Sequence, residues 1–324
     1  MAWRRALRGG GAVGLAALLV GWFPTAASAA TGGFTVTDSR ITELSGMARD
    51  PQANLYWAVN DSGDSGVVYG VTSNGKVRGT LNFRDDPTDV EAVAVHDDRL
   101  YVADIGDNEA KRDDVRVYYF DEPRASGLTV SYRAWDFRYP DGPHDAETLL
   151  VTETDRLYIV TKGAEGGFYR APAKPSRSGT NELTKVNDAP ALVTDGVVLP
   201  GGQQIALLSY TQLTVVDAKS GDEVASAPLT GVKQAESLAL SLDGQSLLVG
   251  SEGKRPKIVA MPIPGAAASA SPSPAPSEAG GEEEDPADVP STPLPAQKGT
   301  WLAVGLAAVV AVVAGTVVGV VRRP

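Results

Sequence analysis

The feature that most constrains the fold is a fivefold repeat of short β-strand patterns separated by turn residues. Each unit opens with a run such as EAVAV or ETLLV and passes through a turn into a second alternating run. The units start at Ser45, Glu91, Glu147, Asp195 and Glu236, so successive starts lie 46, 56, 48 and 41 residues apart. A period of roughly 40–50 residues with several short strands per unit is typical of β-propeller blades. The sequence therefore predicts an all-β protein, a β-propeller with five blades.

The ends of the repeat array predict how the ring closes. The fifth unit has no fourth strand of its own, whereas FTVT at residues 34–37 is a strand pattern without a blade. We expect this N-terminal strand to complete the last blade, because a closed ring leaves few exposed sheet edges. Six blades are the alternative, if the long segment around Trp135 hides a further unit.

The segments that flank the repeats predict a tethered protein. Residues 1–30 have a basic start, an apolar run and a small-residue stretch, which is the order of a secretory signal peptide. The propeller is assigned to residues 31–264, and a disordered stalk rich in Pro, Ser, Ala and Glu to residues 265–299. Residues 300–321 are uncharged and long enough for a transmembrane helix, and the arginines in 322–324 favour a cytoplasmic tail. We therefore expect a single-pass protein of the cell membrane, with its N-terminus and ectodomain outside.

Composition excludes several classes of function. The chain has no cysteine and only two histidines, which argues against zinc-finger, thiol and copper chemistry. Its formal net charge of −11 makes nucleic acid a poor partner and suits cations better.

Propeller geometry predicts where the chemistry lies. The first strand of each blade lines the central channel and the second reverses direction, so the start of one and the end of the other share a face. We expect a ring of possible metal ligands at one mouth of the channel, formed by Ser45, Glu91, Glu147, Asp195 and Glu236. Loops on the same face should carry Asp61, Asp64, Asp104, Asp107, Asn108, Lys162, Tyr210 and Glu252.

Carboxylates gathered around one axis repel each other unless something compensates their charge. One compensation is a bound Ca²⁺ ion, which takes about 6–8 oxygen ligands. The other is hydrogen bonding to backbone amides and water, with raised pKa values on some of the acids.

Two of the units, DVEAVAVHDDRLYVADIGDN and DAETLLVTETDRLYIVTKG, resemble secreted bacterial β-propellers grouped as phytase-like or WD40-like proteins. The resemblance covers most of residues 40–263, and the ring of Glu and Ser is also similar to that of calcium-activated nucleotidases. Some of these proteins hydrolyse phosphate esters at calcium-rich acidic faces. Here the cations available to hold phosphate would be Lys162, Arg112 and Lys254. Three roles remain open. The first is a module that binds an extracellular ligand or protein at a Ca²⁺-binding mouth, and its rival is a calcium-dependent phosphoester hydrolase. The third is a purely structural propeller with neither metal nor ligand.

Overall fold

The computed structural model describes residues 32–61 and 65–266. The predicted signal peptide, nearly all of the predicted stalk, the predicted transmembrane helix and the predicted tail lie outside the described residues, as does Asp64. Within the described ranges, no helix has the length and apolar character that crossing a membrane requires.

The described residues form twenty-two β-strands. The chain begins with β1 (Phe34–Thr35), and blade one contains β2 (Leu44–Asp50), β3 (Leu55–Asn60), β4 (Val67–Val71) and β5 (Val77–Phe83). Blade two contains β6 (Val90–His96), β7 (Arg99–Asp104), β8 (Val115–Asp121) and β10 (Arg133–Arg138), with β9 (Thr129–Val130) between the last two along the chain. Blade three contains β11 (Ala146–Val151), β12 (Leu157–Thr161), β13 (Gly166–Arg170) and β15 (Thr184–Ala189), with β14 (Asn181–Glu182) just before β15. Blade four contains β16 (Val193–Val198), β17 (Gln204–Ser209), β18 (Gln212–Asp217) and β19 (Glu223–Pro228), and blade five contains β20 (Ala235–Leu240), β21 (Leu247–Ser251) and β22 (Lys257–Met261).

The four main strands of each blade pair antiparallel, and most of them are joined by short turns rich in Gly, Asp and Asn. The turn between β6 and β7 shows the chemistry clearly: Asp97 and Asp98 both have positive φ, at 43° and 58°, and His96 pairs directly with Arg99. A two-residue hairpin loop with φ > 0 at both positions matches the twist of the flanking strands. This turn therefore fixes the register of β6 against β7.

The ring closes as the sequence predicts. Strand β1 pairs antiparallel with β22, with Phe34 opposite Ile258, and so supplies the fourth strand of blade five. The inner strand of each blade contacts the inner strand of the next, and β20 contacts β2. Trp135 lies in β10, the outer strand of blade two, and stacks on Tyr119 at 4.1 Å. The five-bladed prediction is thus confirmed, and Trp135 does not mark a sixth blade.

The buried apolar side chains of the described ranges form five clusters, one in each seam between neighbouring blades. The seam between blades five and one joins Leu44, Tyr56 and Leu248, so its packing continues across the closure. Two short strands add further ties, since β9 pairs in parallel with β5 and β14 pairs in parallel with β10. The blades therefore hold their inner strands in a fixed arrangement around the channel.

Candidate metal centre at the channel mouth

All five inner strands have the same irregularity near the mouth. The pairing of each inner strand with its neighbour skips one residue, the second of the strand. The skipped residues are Ser45, Glu91, Glu147, Thr194 and Glu236. A β-bulge of this kind leaves one residue out of the ladder and redirects its side chain. Four of the five members of the predicted ring, all except Asp195, are therefore bulged residues.

The structure changes one member of that ring. In blade four the bulged residue is Thr194, and Asp195 is the next residue, paired with Leu208. Asp195 thus corresponds to Gly46 of blade one, which is paired with Val59. When the five units are compared by sequence, Asp195 takes the ring position that Thr194 occupies in the structure. The alternation of side chains does not reveal which residue leaves the ladder.

The two hydroxyl members of the ring join neighbouring blades. Ser45 Oγ donates a hydrogen bond to the carbonyl oxygen of Val90 at 2.9 Å, and Thr194 Oγ1 donates to that of Ala235 at 2.8 Å. Val90 and Ala235 are the first residues of the next blade's inner strand. Both hydroxyls therefore make the same bond across a seam, which ties the blades together beside the mouth.

Asp195 lies in β16, the inner strand of blade four, and is 3% exposed. Its Oδ2 accepts a hydrogen bond from the amide of Leu238 at 2.6 Å, and its Oδ1 accepts one from the amide of Gly196 at 2.7 Å. The amide of Met47 also bonds to this carboxyl. Burial raises the pKa of Asp195 well above its usual range, although the three amides oppose the shift. One side chain thus connects the inner strands of blades four, five and one, so both of its oxygens already serve the fold.

The three glutamates of the ring have different partners. Glu147 forms an ion pair with Lys162, and Glu236 accepts a hydrogen bond from the Tyr210 hydroxyl at 3.3 Å. Lys162 Nζ also lies 5.4 Å from the centre of the Tyr210 ring. Within the described part of the chain, no donor reaches the carboxylate of Glu91.

Burial is the main reason that the pKa values of these glutamates are raised. It raises the pKa of Glu147 to about 8, against the opposing effect of Lys162, and the pKa of Glu236 to about 7. Burial, followed by the charge of Glu147 and of two nearby aspartates, raises the pKa of Glu91 to about 10. Burial would lower the pKa of Lys162, but its bonds to Glu147 and Tyr210 raise it, so the ammonium stays charged.

A second ring of side chains surrounds the first, at the position just after the second strand of each blade. Asn60 Oδ1 accepts hydrogen bonds from the amides of Thr42 and Glu43, and Asp104 accepts the equivalent pair from Thr88 and Asp89. Asn60, not Asp61, therefore corresponds to Asp104, since β3 ends at Asn60. The second ring consists of Asp61, Ile105, Lys162, Tyr210 and Glu252. It brings together four of the residues that the sequence placed on this face.

Asp104 and Asp107 serve the loop that follows β7. Arg112 Nη1 lies 2.8 Å from Asp104 Oδ1, and the amide of Arg112 donates to Asp107 Oδ2 at 2.7 Å. The amide of Asp107 in turn donates to Asp145 Oδ1 at 2.9 Å. Both aspartates are buried, whereas Asn108 is exposed in the turn. The carboxylates of Asp104 and Asp107 therefore already have hydrogen-bond or ion-pair partners within the protein.

One group of acids at the mouth is arranged as metal ligands would be. Asp61, Asp89 and Glu91 each offer a carboxylate oxygen, and these oxygens lie within 4.8 Å of one another. Burial, then a hydrogen bond and charge repulsion from Asp61, raises the pKa of Asp89 to about 7. Glu91 is 4% exposed, while Asp61 and Asp89 are half-buried and open toward the mouth. Three acids from two blades therefore meet at one side of the channel.

Asp89 was missed in the sequence, although a signal for it exists. Asp89 and Glu91 are two residues apart, as are Asp145 and Glu147 in blade three. The Asp-x-Glu spacing repeated at the start of two blades is the signal that could have placed both aspartates beside the predicted ring.

Gly106 shows how closely two of these carboxylates approach the loop. A Cβ at Gly106 would lie 2.5 Å from Asp89 Oδ2 and 2.7 Å from Glu91 Oε1. Gly163 has the same place in blade three, two residues after the end of the second strand, and its nearest neighbour would be 3.6 Å away. The glycine in blade two is therefore needed for the two carboxylates to lie where they do.

A second group of possible ligands lies at the other end of the blades. His96 Nε2 lies 3.5 Å from Asp97 Oδ2 and 3.6 Å from Asp155 Oδ1. The two aspartate side chains are 80% and 68% exposed. They are turn residues with positive φ, and hydration already stabilises exposed charges of this kind.

Comparisons with known proteins do not assign the chain to a family. No family model matches the chain, and no curated protein matches its sequence. Among solved structures, a gluconolactonase from Xanthomonas campestris is 16% identical over 70% of this chain and 89% of that chain, with a TM-score of 0.41. The hydrazine synthase of Kuenenia stuttgartiensis is 17% identical over 66% of this chain and 56% of that chain, with a TM-score of 0.37.

Proposed function

We propose that the protein is a cell-surface β-propeller that binds Ca²⁺ through Asp61, Asp89 and Glu91 and recognises an extracellular ligand or protein at the same mouth. The observation that carries the proposal is the carboxylate of Glu91. It is almost completely buried, it accepts no hydrogen bond among the described residues, and it faces two further acids. A cation at this position would pair with the carboxylate of Glu91.

The argument for a cation is electrostatic. A buried carboxylate without a donor is costly when ionised, and nearby carboxylates increase that cost. Such a group either holds a proton or pairs with a positive charge. Lys162 is already paired with Glu147, and Arg112 with Asp104. The charge of Lys162 opposes the rise in the pKa of Glu91, but that pKa still stands at about 10.

The donor set favours Ca²⁺ over other metals. All three candidate ligands are carboxylates, and Ca²⁺ prefers oxygen ligands with waters completing its shell. His96 is at the opposite end of its strand, and His144 Nε2 is within 2.9 Å of Asp141 and 3.0 Å of the Tyr169 hydroxyl. The nitrogen ligands that zinc or copper would favour therefore lie outside the group.

The rest of the mouth supports a role in recognition. A cation at Asp61, Asp89 and Glu91 would lie on the side of blades one and two. Lys162 and Tyr210 occupy the side of blades three and four, where the ammonium lies over the ring. The mouth would then offer positive charge and an aromatic surface on loops, where binding residues are often found.

The phosphoester hydrolase has less support than the binding module. Hydrolysis of a phosphate ester needs cations that hold the phosphoryl oxygens. Lys162 and Arg112 are both engaged in ion pairs, and Arg112 Nη1 also donates to the carbonyl oxygen of Gly106 at 2.7 Å. Lys254 is exposed. We therefore retain hydrolysis only as an outcome of the test.

The site can be tested with two matched glycine variants of the full-length chain, held in lipid nanodiscs because residues 300–321 are apolar. Calorimetric titration with Ca²⁺ after chelator removal should show one site per chain. Gly106→Ala should weaken binding by about tenfold or more, because the new Cβ displaces two flexible carboxylate ends. Gly163→Ala, with ordinary contact distances, should bind like the parent protein.

Equal Ca²⁺ affinity in both variants, or no binding by the parent, would contradict the proposal. The same preparations should be assayed on phytate, nucleotides and an aryl phosphate, with Ca²⁺ and with chelator. Calcium-dependent turnover that disappears in Glu91→Gln would establish the hydrolase in place of the binding module.

A further inference from the structure

A cavity of about 420 Å³ opens between blades three and four. It lies near the ends of β11, β13 and β18, whereas the mouth lies at the beginning of β11. The cavity is thus at the other end of the blades from the acidic group. Its volume falls in the range of roughly 300–1,000 Å³ that small-molecule sites occupy.

The strand register explains the walls of the cavity. Leu150, Tyr158 and Arg170 lie side by side across β11, β12 and β13, and all three line the cavity. Blade four faces them with Val198 and Ile205, which are paired across β16 and β17. The site therefore has an apolar floor between two sheets, with a phenol and a guanidinium along one wall.

The seam is open here and closed at the same place in two other blades. The position of Tyr158 is occupied by Trp57 in blade one and Tyr101 in blade two, as the register of each blade shows. Trp57 is 0% exposed and Tyr101 is 1% exposed, and each packs in the seam with the following blade. Tyr158 is only half-buried. Blade three thus leaves an aromatic side chain partly uncovered at a point where blades one and two seal it.

Arg170 says more than Tyr158 about the kind of ligand that this cavity could bind. The same register places uncharged residues at its position in every other blade, namely Gly70, Tyr119, Val215 and Ala260. Arg170 is half-buried. Its guanidinium makes no hydrogen bond or ion pair with any residue of the described ranges 32–61 and 65–266. The nearby carboxylate of Asp217 accepts hydrogen bonds from the amides of Lys219 and Ser220 at 3.0 and 2.9 Å. One blade therefore places a charged donor without a partner on an apolar wall.

We propose that this cavity binds a small organic carboxylate, with its apolar body against Leu150, Val198 and Ile205 and its carboxylate on Arg170. A guanidinium presents two parallel donors that match the two oxygens of a carboxylate. The apolar floor selects a ligand with an aliphatic or aromatic body.

The test uses the full-length chain in nanodiscs and the probe 3-phenylpropionate, with 3-phenylpropanamide as its neutral counterpart. Arg170→Gln removes the guanidinium charge from the wall of the cavity. Lys174→Gln removes the same charge from an exposed residue that does not line the cavity. Val186→Trp fills the cavity from its rim and serves as an independent second variant.

We expect calorimetry to show binding of 3-phenylpropionate, weakened about tenfold or more in Arg170→Gln because a charged hydrogen bond is lost. Lys174→Gln should bind the acid like the parent protein. Val186→Trp should bind neither probe, and the amide should bind only weakly to the other proteins. The proposal is overturned if the parent fails to bind the carboxylate at millimolar concentration. It is also overturned if Arg170→Gln binds as tightly as Lys174→Gln, or if the amide matches the acid.

Discussion

Replacement of Asp195 by alanine should destabilise the whole ring, because this side chain connects three inner strands. Its carboxylate accepts hydrogen bonds from the amides of Gly196 and Leu238, at 2.7 and 2.6 Å, and from the amide of Met47. The side chain is 3% exposed, so water has little access to the amides that would be left without an acceptor.

The magnitude follows from those three amides. A buried donor left without a partner costs about 1–3 kcal/mol, so their loss together would cost at least about 3 kcal/mol. Removing the buried carboxyl relieves its own desolvation and offsets part of that cost. We therefore expect Asp195→Ala to lower the free energy of unfolding by about 2–4 kcal/mol. For a domain of this size the melting temperature should fall by about 5–15 °C.

The measurement is thermal unfolding of the full-length chain followed by circular dichroism, with Asp222→Ala as the control. Asp222 is an exposed aspartate in the turn before β19, where substitutions usually change stability by less than about 0.5 kcal/mol. Asp195→Asn keeps the shape and one acceptor oxygen and should fall between the two. If Asp195→Ala has the same melting temperature as Asp222→Ala, the carboxylate does not stabilise the three inner strands that it connects. The reasoning from its three amides would then be wrong.

Two further changes test the surroundings of the mouth. The pKa of Glu236 is raised from 4.5 to about 7, so the stability it contributes is present below its unfolded pKa and is lost as the pH rises through about 7. After chelation, the melting temperature should therefore fall between pH 5 and pH 8, and Glu236→Gln should reduce that fall; an equally steep fall in the variant would refute this role. Thr194→Val removes the bond to the carbonyl of Ala235 and should cost about 1 kcal/mol in urea unfolding, whereas Thr194→Ser should retain it. Equal stability of the two Thr194 variants would show that the bond across the seam contributes nothing.

The number of blades and their closure could be predicted from the sequence because both depend on strand patterns. The spacing of the five units reflects the length of a four-stranded sheet, and the unpaired pattern at residues 34–37 matches a missing strand in the fifth unit. Neither inference depends on the position of any single side chain. The arrangement of the channel mouth does depend on the positions of single side chains, so the sequence predicted it less well.

The error in blade four has a physical cause. A bulge removes a residue from the ladder without changing the hydrophobic alternation on either side of it. The sequence alone therefore could not show that Thr194 rather than Asp195 is bulged. Asp61 and Asp104 each begin an Asp-x-Gly run, and this likeness hides the fact that Asn60, the last residue of β3, corresponds to Asp104. The open cavity beside Arg170 could not be predicted from the sequence for another reason. Its proposed role depends on which hydrogen-bond acceptors lie near Arg170 in the folded chain.

The most direct test of the proposed cation site is anomalous diffraction from crystals of the protein grown with Ca²⁺. We expect a peak between Asp61, Asp89 and Glu91, at about 2.3–2.6 Å from carboxylate oxygens of these residues. A mouth without such a peak, or a peak found only beside His96, Asp97 and Asp155, would contradict the assignment.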